Sequence, residues 1–374
     1  MKKVLVMVMC LLMILLIVTG CSSGETATKE QAAAQETSGA EETAETSGAE
    51  VPDYTGETLI FGTTYGNNFE AAMNETIIPM FKEKYGADVI IDPSYDYTKL
   101  VAENGNPSVD VLTVDDTKMY EGKDLGVFIP LDFSKIPNSE NLYEEAFDPY
   151  GNGVYVYWGR YGIVYNTEKI PEAPTSWKDL WKDEYAGRVA INSPKGTGGC
   201  QFLVMTSYVH GGDEKNMDPA WDALKELAPN LLTVADNTSA LVDIMTRGDA
   251  WIAPCWDGRA YAMKNSGVPV DFVSPEEGAL ATVAELAIPV GSQQEELAYL
   301  FIDMCLSEEG QKAISTWTRY GPVNKNVTFE GQDAEEIYLA DTQSGLVVVD
   351  WLTIAPLRNE WIDTFDREIT GLLN

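Results

Sequence analysis

The residues in this sequence best suited to chemistry are aromatic and acidic. Trp256 and Asp257 stand side by side in PCWDGRAY, and Asp350 and Trp351 adjoin in VVVDWL. An indole face beside a carboxylate suits an ammonium ion, which gains cation–π attraction from the ring and a charge-assisted hydrogen bond from the acid. The alternative is that these Trp are simply core. Tyr65 and Asn67 in TTYGNNF, with Asp115 and Asp116 in VDDTK, could cover a ligand and hold a charge. Read as plain loop polarity they would do neither, and Asp116 could merely cap a helix. Trp158 and Arg160 in YVYWGRYG either reach the same site or pack beneath it. Ser193, Thr197 and Gly198 in NSPKGTGGCQF lie where a strand turns into a helix. Backbone N–H groups at such a start attract anions, and Lys195 would strengthen a site for a phosphonate, phosphate or carboxylate. A tight strand-to-helix turn explains the same residues without a ligand.

Several classes of chemistry are excluded or disfavoured. There is no G-x-S-x-G, no HExxH and a single histidine, His210, which argues against a His-based metal site or a Ser–His pair. Beyond Cys10 and Cys21 near the N-terminus, Cys200, Cys255 and Cys305 are an odd set with no CxxC, so no disulfide framework follows. Cys305 shares an apolar helical face with Phe301, Ile302 and Leu306 and reads as core. The formal net charge of −34 argues against nucleic acid, whose phosphates need clustered Lys and Arg. It mildly favours a cationic cargo over an anionic one. A binding protein without cofactor is expected, not an enzyme. An enzyme on the same fold and a surface adhesin or sensor partner are the weaker alternatives.

The elements that must position these residues alternate. TLIFGTTYG reads as a buried strand leading into a polar loop, and Asn68 to Tyr85 as a helix kinked at Pro79. ADVIID and VDVLTVDD are further strands, and FIPLD follows. Strand–helix–strand alternation predicts a mostly parallel sheet flanked by helices, with ligands at the carboxyl ends of the strands. That places Tyr65, Asn67, Asp115 and Asp116 at a rim. GIVYNT is a strand; TSWKDLW is a short helix with Thr175 or Ser176 as its cap and Trp177, Leu180 and Trp181 on one face; GRVAI starts a second sheet. This stretch reads as a crossing between two lobes, anchored by two Trp. The strand from Trp251 to Pro254 delivers Trp256 and Asp257 to the second lobe's rim.

The N-terminal segment adds a location. Lys2 and Lys3 precede an apolar run from Val4 to Val18, shorter than the ~20 residues a membrane span needs. This pattern is a signal peptide. The run ends in VTGC, which resembles the lipobox of bacterial lipoproteins and marks Cys21 for lipidation. Residues 22–52 repeat ETSGAE and carry almost no large apolar side chain. Such a segment cannot bury enough surface to order itself and reads as an acidic tether, roughly 30 Å in mean reach. The chain is therefore expected outside the cytoplasm, lipid-anchored to the bacterial cell membrane.

The motif GIVYNTEKI…PTSWKDLWKDEYAGRVAI, the stretch from WDGRAYAMKNSGVPVDFVSPEEGALATVAELAIP to LSEEGQKAI, and YGPVNKN resemble the periplasmic-type solute-binding proteins of ABC importers. The likeness is closest to the spermidine/putrescine group and its iron(III), thiamine and aminophosphonate relatives. It covers most of residues 57–374. It implies an α/β, two-lobed periplasmic-binding-protein-like fold of type II, with the ligand cleft between lobes joined by strand crossings. The lobes are expected at 53–165 with 283–325 and at 166–282 with 326–374, after a signal peptide at 1–20 and the lipidated tether at 21–52. The resemblance implies a monomer that captures a small-molecule solute and delivers it to a membrane permease served by its ATPase. It places the Trp at 256 on an alkylamine, brings Asp350 and Trp351 near the position of a polar contact, and adds Tyr320 of YGPVNKN to the site. It also exposes a departure. Where the polyamine group has a Trp and an Asp two residues apart, this chain has Thr282 and Ala284, with Glu285 next to them. No Tyr-Tyr pair of the kind the iron relatives use is present. A polyamine-like or other organic cation is the favoured cargo, an aminophosphonate or other anion held by SPKGTGG the alternative, and iron(III) the weaker option.

Overall fold

The computed structural model describes residues 51–338 and 346–372; Cys21, the signal and nearly all of the tether lie outside the described residues, as does the side chain of Asn67. Apolar runs ended by polar loops make the strands. In the first part, β1 (Thr58–Gly62) pairs in parallel with β2 (Asp88–Asp92) on one side and β3 (Val111–Val114) on the other. In the second, β5 (Val189–Asn192) pairs in parallel with β6 (Leu231–Ala235) and β7 (Ile252–Trp256). Between them run β4 (Gly153–Asn166) and β9 (Ala279–Ala287). β8 (Val270–Val273) adds to β4 and β10 (Leu346–Val347) to β9.

Two expectations are corrected here. The sheet is mixed, because β4 and β9 are antiparallel to each other, β9 is antiparallel to β3, and β4 is antiparallel to β7 and β8. Among the described residues there is also no second sheet. All the named strands form one ten-stranded sheet, in the order β2-β1-β3-β9-β4-β7-β5-β6. The cause is the length of β4: YVYWGRYG continues GIVYN, giving 14 residues that run from one half into the other. FIPLD is not a strand. Phe128 makes an isolated bridge to Pro289, and Pro130 has no N–H to give to a ladder.

The helices α1 (Asn67–Ala72) and α2 (Ile78–Tyr85) are one continuous run joined by a π turn, Met73–Ile77. Pro79 sits at the start of α2, and the wide turn absorbs the N–H it lacks and the room its ring needs. Next come α3 (Tyr97–Ala102) and α4 (Asp116–Leu125), then α5 (Thr197–Val209), α6 (Asp218–Leu227), α7 (Thr238–Thr246) and α8 (Asp257–Asn265). The chain closes with α9 (Glu295–Leu306), α10 (Glu308–Thr318), α11 (Gln332–Glu336), α12 (Trp351–Ile354) and α13 (Arg358–Glu368).

Separate cores flank the middle of the sheet. One gathers Phe61, Phe69, Phe81 and Phe301 on β1, α1, α2 and α9. Another gathers Tyr161, Trp177, Phe202, Trp361 and Phe365. Trp256 packs against both. TSWKDLW folds as a 3₁₀ turn, Trp177–Trp181, closed by a capping box between Ser176 and Asp179. The Trp177 indole donates to the Gly278 carbonyl at 2.8 Å and that of Trp181 to Ala223 at 2.7 Å, which ties the turn to its own half. Cys200, Cys255 and Cys305 are buried and unpaired, and among the described residues no helix is long and apolar enough to cross a membrane.

Candidate ligand-binding cleft

The carboxyl ends of the strands deliver side chains from both halves to one place. β1 runs into the loop that carries Tyr65, and β3 ends at Asp115 and Asp116. From the other half, β5 leads through its Gly-rich turn to Thr197 and Gly198 on α5, and β7 ends at Trp256. Direct bonds join the two sides. Asp115 Oδ2 accepts from the Thr197 hydroxyl at 2.9 Å, and Asp116 Oδ2 accepts from the Trp351 indole at 3.0 Å. Arg259 donates to the Tyr65 carbonyl at 3.1 Å.

Aromatic rings line the wall between these bonds. Tyr157 lies 6.1 Å from Tyr65, centroid to centroid, and stacks on Tyr320 at 4.6 Å with 12° between planes. Trp256 is half-buried, donates to Gln201 at 3.2 Å and meets Tyr161 edge-on at 5.4 Å. Gly198 permits this: a Cβ there would stand 3.0 Å from Cη2 of Trp256.

Beside that wall lies an acidic pocket of about 190 Å³. The register of β4 on β9 sets Tyr155 opposite Glu285. Asp116 comes from the start of α4, Asp148 from the turn before β4, and Trp351 from α12; all five residues line the pocket. Glu285 is 1 % exposed and its Oε2 has no hydrogen-bond partner. Asp148 uses Oδ2 to accept from the Asn152 N–H at 2.8 Å, while its buried Oδ1 is unpartnered. The Tyr65 hydroxyl is also buried without a partner. Such orphaned groups carry a desolvation cost until something meets them.

The electrostatics follow. Burial, and then the neighbouring Asp115, push Asp116 up to about 7. Burial, and then the charge of Asp116, hold Glu285 well above the usual carboxylate range. Asp148 is raised as well, chiefly by burial. Burial thus favours the protonated form of all three acids. An ammonium group brings the missing positive charge and up to three N–H donors.

Not every residue singled out in the sequence is brought to the cleft. Tyr65, Asp115, Thr197, Gly198, Trp256 and Tyr320 surround it, and Asp116, Glu285 and Trp351 form its acidic side. Asn67 opens α1. Asp257 is corrected: it is fully buried, its Oδ2 meets Arg160 Nε at 3.0 Å and its Oδ1 accepts from the Gly258 N–H at 2.8 Å. It is a structural ion pair under the cleft, and the Arg160 guanidinium is covered by Phe272 and Tyr338. Trp158 is corrected too, since it is 4 % exposed and packs in the first core against Tyr143. Ser193 is buried in its turn and accepts from the Lys195 N–H. Asp350 borders the acidic pocket, but both its oxygens are engaged by Thr353 as the cap of α12. Thr282 is half-buried on β9 opposite Gly159. Lys195 turns away to Asp366 at 3.0 Å.

Four contributors were not foreseen: Asp148, Tyr155, Tyr157 and Arg259. Tyr155 and Tyr157, two apart on β4, share a strand face by ordinary alternation; their neighbours across the cleft, and the irregular register between them, come from distant β9. Asp148 sits in DPYGNG, where a turn residue is the ordinary reading. Arg259 lies in WDGRAY, two residues beyond Asp257, and that offset was the available signal. Among the described residues no group of three or more His, Cys, Asp or Glu side chains is arranged to hold a metal ion.

The sequence profile of the family described as "Bacterial extracellular solute-binding protein" matches residues 106–337, more than half of the chain. The chain belongs to this family. It is 29 % identical over 206 residues to the spermidine/putrescine-binding periplasmic protein of Escherichia coli K12, a match covering 53 % of this chain and 59 % of that protein. The match thus spans about three fifths of the length of that curated relative. It is 24 % identical over 277 residues to the gamma-aminobutyric acid-binding protein of Pseudomonas aeruginosa, covering 70 % and 76 % of the two chains. Among solved structures, an ABC transporter protein from Clostridium perfringens superposes with a TM-score of 0.71 at 24 % identity, covering 83 % of this chain and 99 % of that one. The fold is that of the two-lobed periplasmic solute-binding proteins.

Proposed function

We propose that this chain is the extracytoplasmic substrate-binding component of an ABC importer, and that it captures a small solute with an ammonium head, polyamine-like or another organic cation. The solute is passed to a membrane permease, with ATP consumed by a separate subunit, and a lipid on Cys21 keeps the receptor at the membrane. The observation that carries this reading is the acidic pocket, where Glu285 and Asp148 present unpartnered buried oxygens beside Asp116 and the rings of Tyr155 and Trp351. The ligands after which the Escherichia coli and Pseudomonas relatives are named, each carrying an amine, support it.

The anionic alternative has less behind it. The start of α5 already has a carboxylate, since Asp115 accepts from Thr197, and Lys195 is engaged elsewhere. A carboxylate at the start of a helix repels a second anion there. Thermal unfolding with a ligand panel decides between the two. A ligand binding only the native state adds about 2.7 kcal/mol at a hundredfold excess over Kd. Stabilisation by di- or triamines is expected. Stabilisation by phosphonates with none by any amine overturns the reading.

A further inference from the structure

Arg259 gives the cleft a second pole of opposite sign. Arg160, Arg247, Arg319 and Arg367 each pair with a carboxylate. The Arg259 guanidinium, like those of Arg188 and Arg358, has none within ion-pair reach among the described residues, and of these three it is the one held at the cleft, where its polar contact is the Tyr65 carbonyl at 3.1 Å. The loop turns at Gly66 with φ 87°, a conformation that favours glycine, and brings the Tyr65 carbonyl to the guanidinium. The guanidinium borders a cavity of about 440 Å³ whose walls include the hydroxyl residues Thr64, Thr238 and Ser239. Asp243 also lines that cavity, beyond ion-pair distance of Arg259.

Tyr65 stands between this cavity and the acidic pocket. Its carbonyl meets Arg259, and its phenol feels Asp115, Glu285 and Asp116, which add to the effect of burial. Tyr157 and Tyr320, raised chiefly by burial, are both drawn down by the charge of Arg259. Arg259 thus holds the Tyr65 main chain, and the Tyr65 ring leads on to Tyr157 and Tyr320, with its phenol toward the carboxylates. A diamine would set its second ammonium against Arg259, whereas a carboxylate would match the guanidinium fork.

We propose that the cargo is a zwitterion, an aliphatic ω-amino acid or a like amphoteric solute. Its ammonium end occupies the Glu285 pocket, its chain lies along Tyr65 and Tyr157, and its carboxylate meets Arg259 and the nearby hydroxyls. This rests on the ammonium reading above and adds the second end to it.

The test is titration calorimetry on the full chain at about pH 8, above the Asp116 value of about 7. The probes are two matched series, ω-amino acids and α,ω-diamines of about three to six carbons. At least one amino acid should bind about tenfold or more tighter than the diamine of equal length. Arg259→Gln should abolish or reverse that preference, and Arg259→Lys should keep part of it. Arg259 also links the two halves, so loss of a purely structural contact would weaken both series alike. The ratio of affinities is therefore the readout, with melting curves to confirm folding. Diamines binding tighter than amino acids in both wild type and Arg259→Gln would overturn the zwitterion and leave the ammonium reading standing. Simple carboxylates binding as tightly as the amino acids, with Glu285→Gln indifferent, would overturn the ammonium reading itself. No heat from either series rejects both.

Discussion

Glu285→Gln separates charge from shape in the acidic pocket. The side chains are nearly isosteric, and Glu285 is 1 % exposed with one oxygen unpartnered, so no solvent screens what is lost. A hydrogen bond to a charged group is worth about 1.5–3 kcal/mol net. Its loss should weaken an amine or amino-acid ligand about tenfold to a hundredfold or slightly more. The unliganded protein should respond the other way. Asp116 and Glu285 hold their protons to higher pH folded than unfolded, from ordinary values of 3.8 and 4.5. Native protein thus binds more protons than unfolded chain in that window. The stability that Asp116 contributes is present below pH about 4 and is lost as pH rises through about 7, and that of Glu285 is lost in the same direction. Glutamine imitates the protonated acid, so the variant should melt at or above the wild-type temperature at about pH 8 and lose less stability on the way there. Ligand affinity in the wild type should fall by up to about tenfold per pH unit below 7 for each proton that must leave on binding, and the variant should flatten that slope. Calorimetry of ligand binding and melting curves from about pH 4 to 8 give both readouts. Unchanged affinity in Glu285→Gln, or a variant less stable than wild type across the whole range, refutes the reasoning.

The ion pair beneath the cleft predicts that Asp257→Asn destabilises the fold by about 3 kcal/mol, the lower end for a broken buried pair because Arg160 keeps some access to water; urea denaturation measures it, and loss of binding without loss of stability would instead return Asp257 to the site. Thr197→Val removes the bond to Asp115 and should weaken ligand about two- to tenfold by disfavouring the joined arrangement of the halves, with a melting temperature close to wild type. Trp256→Ala removes a half-buried ring that both cores touch. It should cost about 2–3 kcal/mol of stability, short of the figure for a fully buried Trp, together with about tenfold in affinity, read by denaturation and calorimetry on the same sample.

Local pattern made β1, β3, β5 and β7 legible, because each is an apolar run with a polar or Gly-bearing stop. It made the capping box at Ser176 and the Trp177 anchor legible for the same reason. Strand direction was not, since whether β9 runs with or against β3 depends on a partner far along the chain. The length of β4 was hidden by Arg160, a charge in the middle of a strand, whose buried partner Asp257 lies on α8. That distant pairing also explains the misreading of Asp257: adjacency to Trp256 suggested a shared face, but successive residues at a strand-to-helix junction point apart. Thr197 was legible as a helix start, but not the bond its hydroxyl gives to Asp115 from the other half, which depends on a residue 82 positions away. Glu285 was visible only as a neighbour of Thr282 and Ala284, and the burial that gives it meaning comes from α4 and α12.

The long strands β4 and β9 also fix the order in which the chain can fold. β3, at residues 111–114, has β9, at residues 279–287, as its neighbour, and β9 in turn lies beside β4. The first core therefore waits for Phe301 and Ile302, which follow β5, β6 and β7 in the chain, and the second waits for Trp361 and Phe365. Contacts this remote close slowly, because the loop entropy is lost before any burial offsets it. A ribosome or a translocation pore releasing this chain from its N-terminus would emit most of it before either half had a complete core. Slow assembly of this kind is a hindrance for a protein that must fold where it is made, and an asset for one that must stay threadable until it has crossed a membrane.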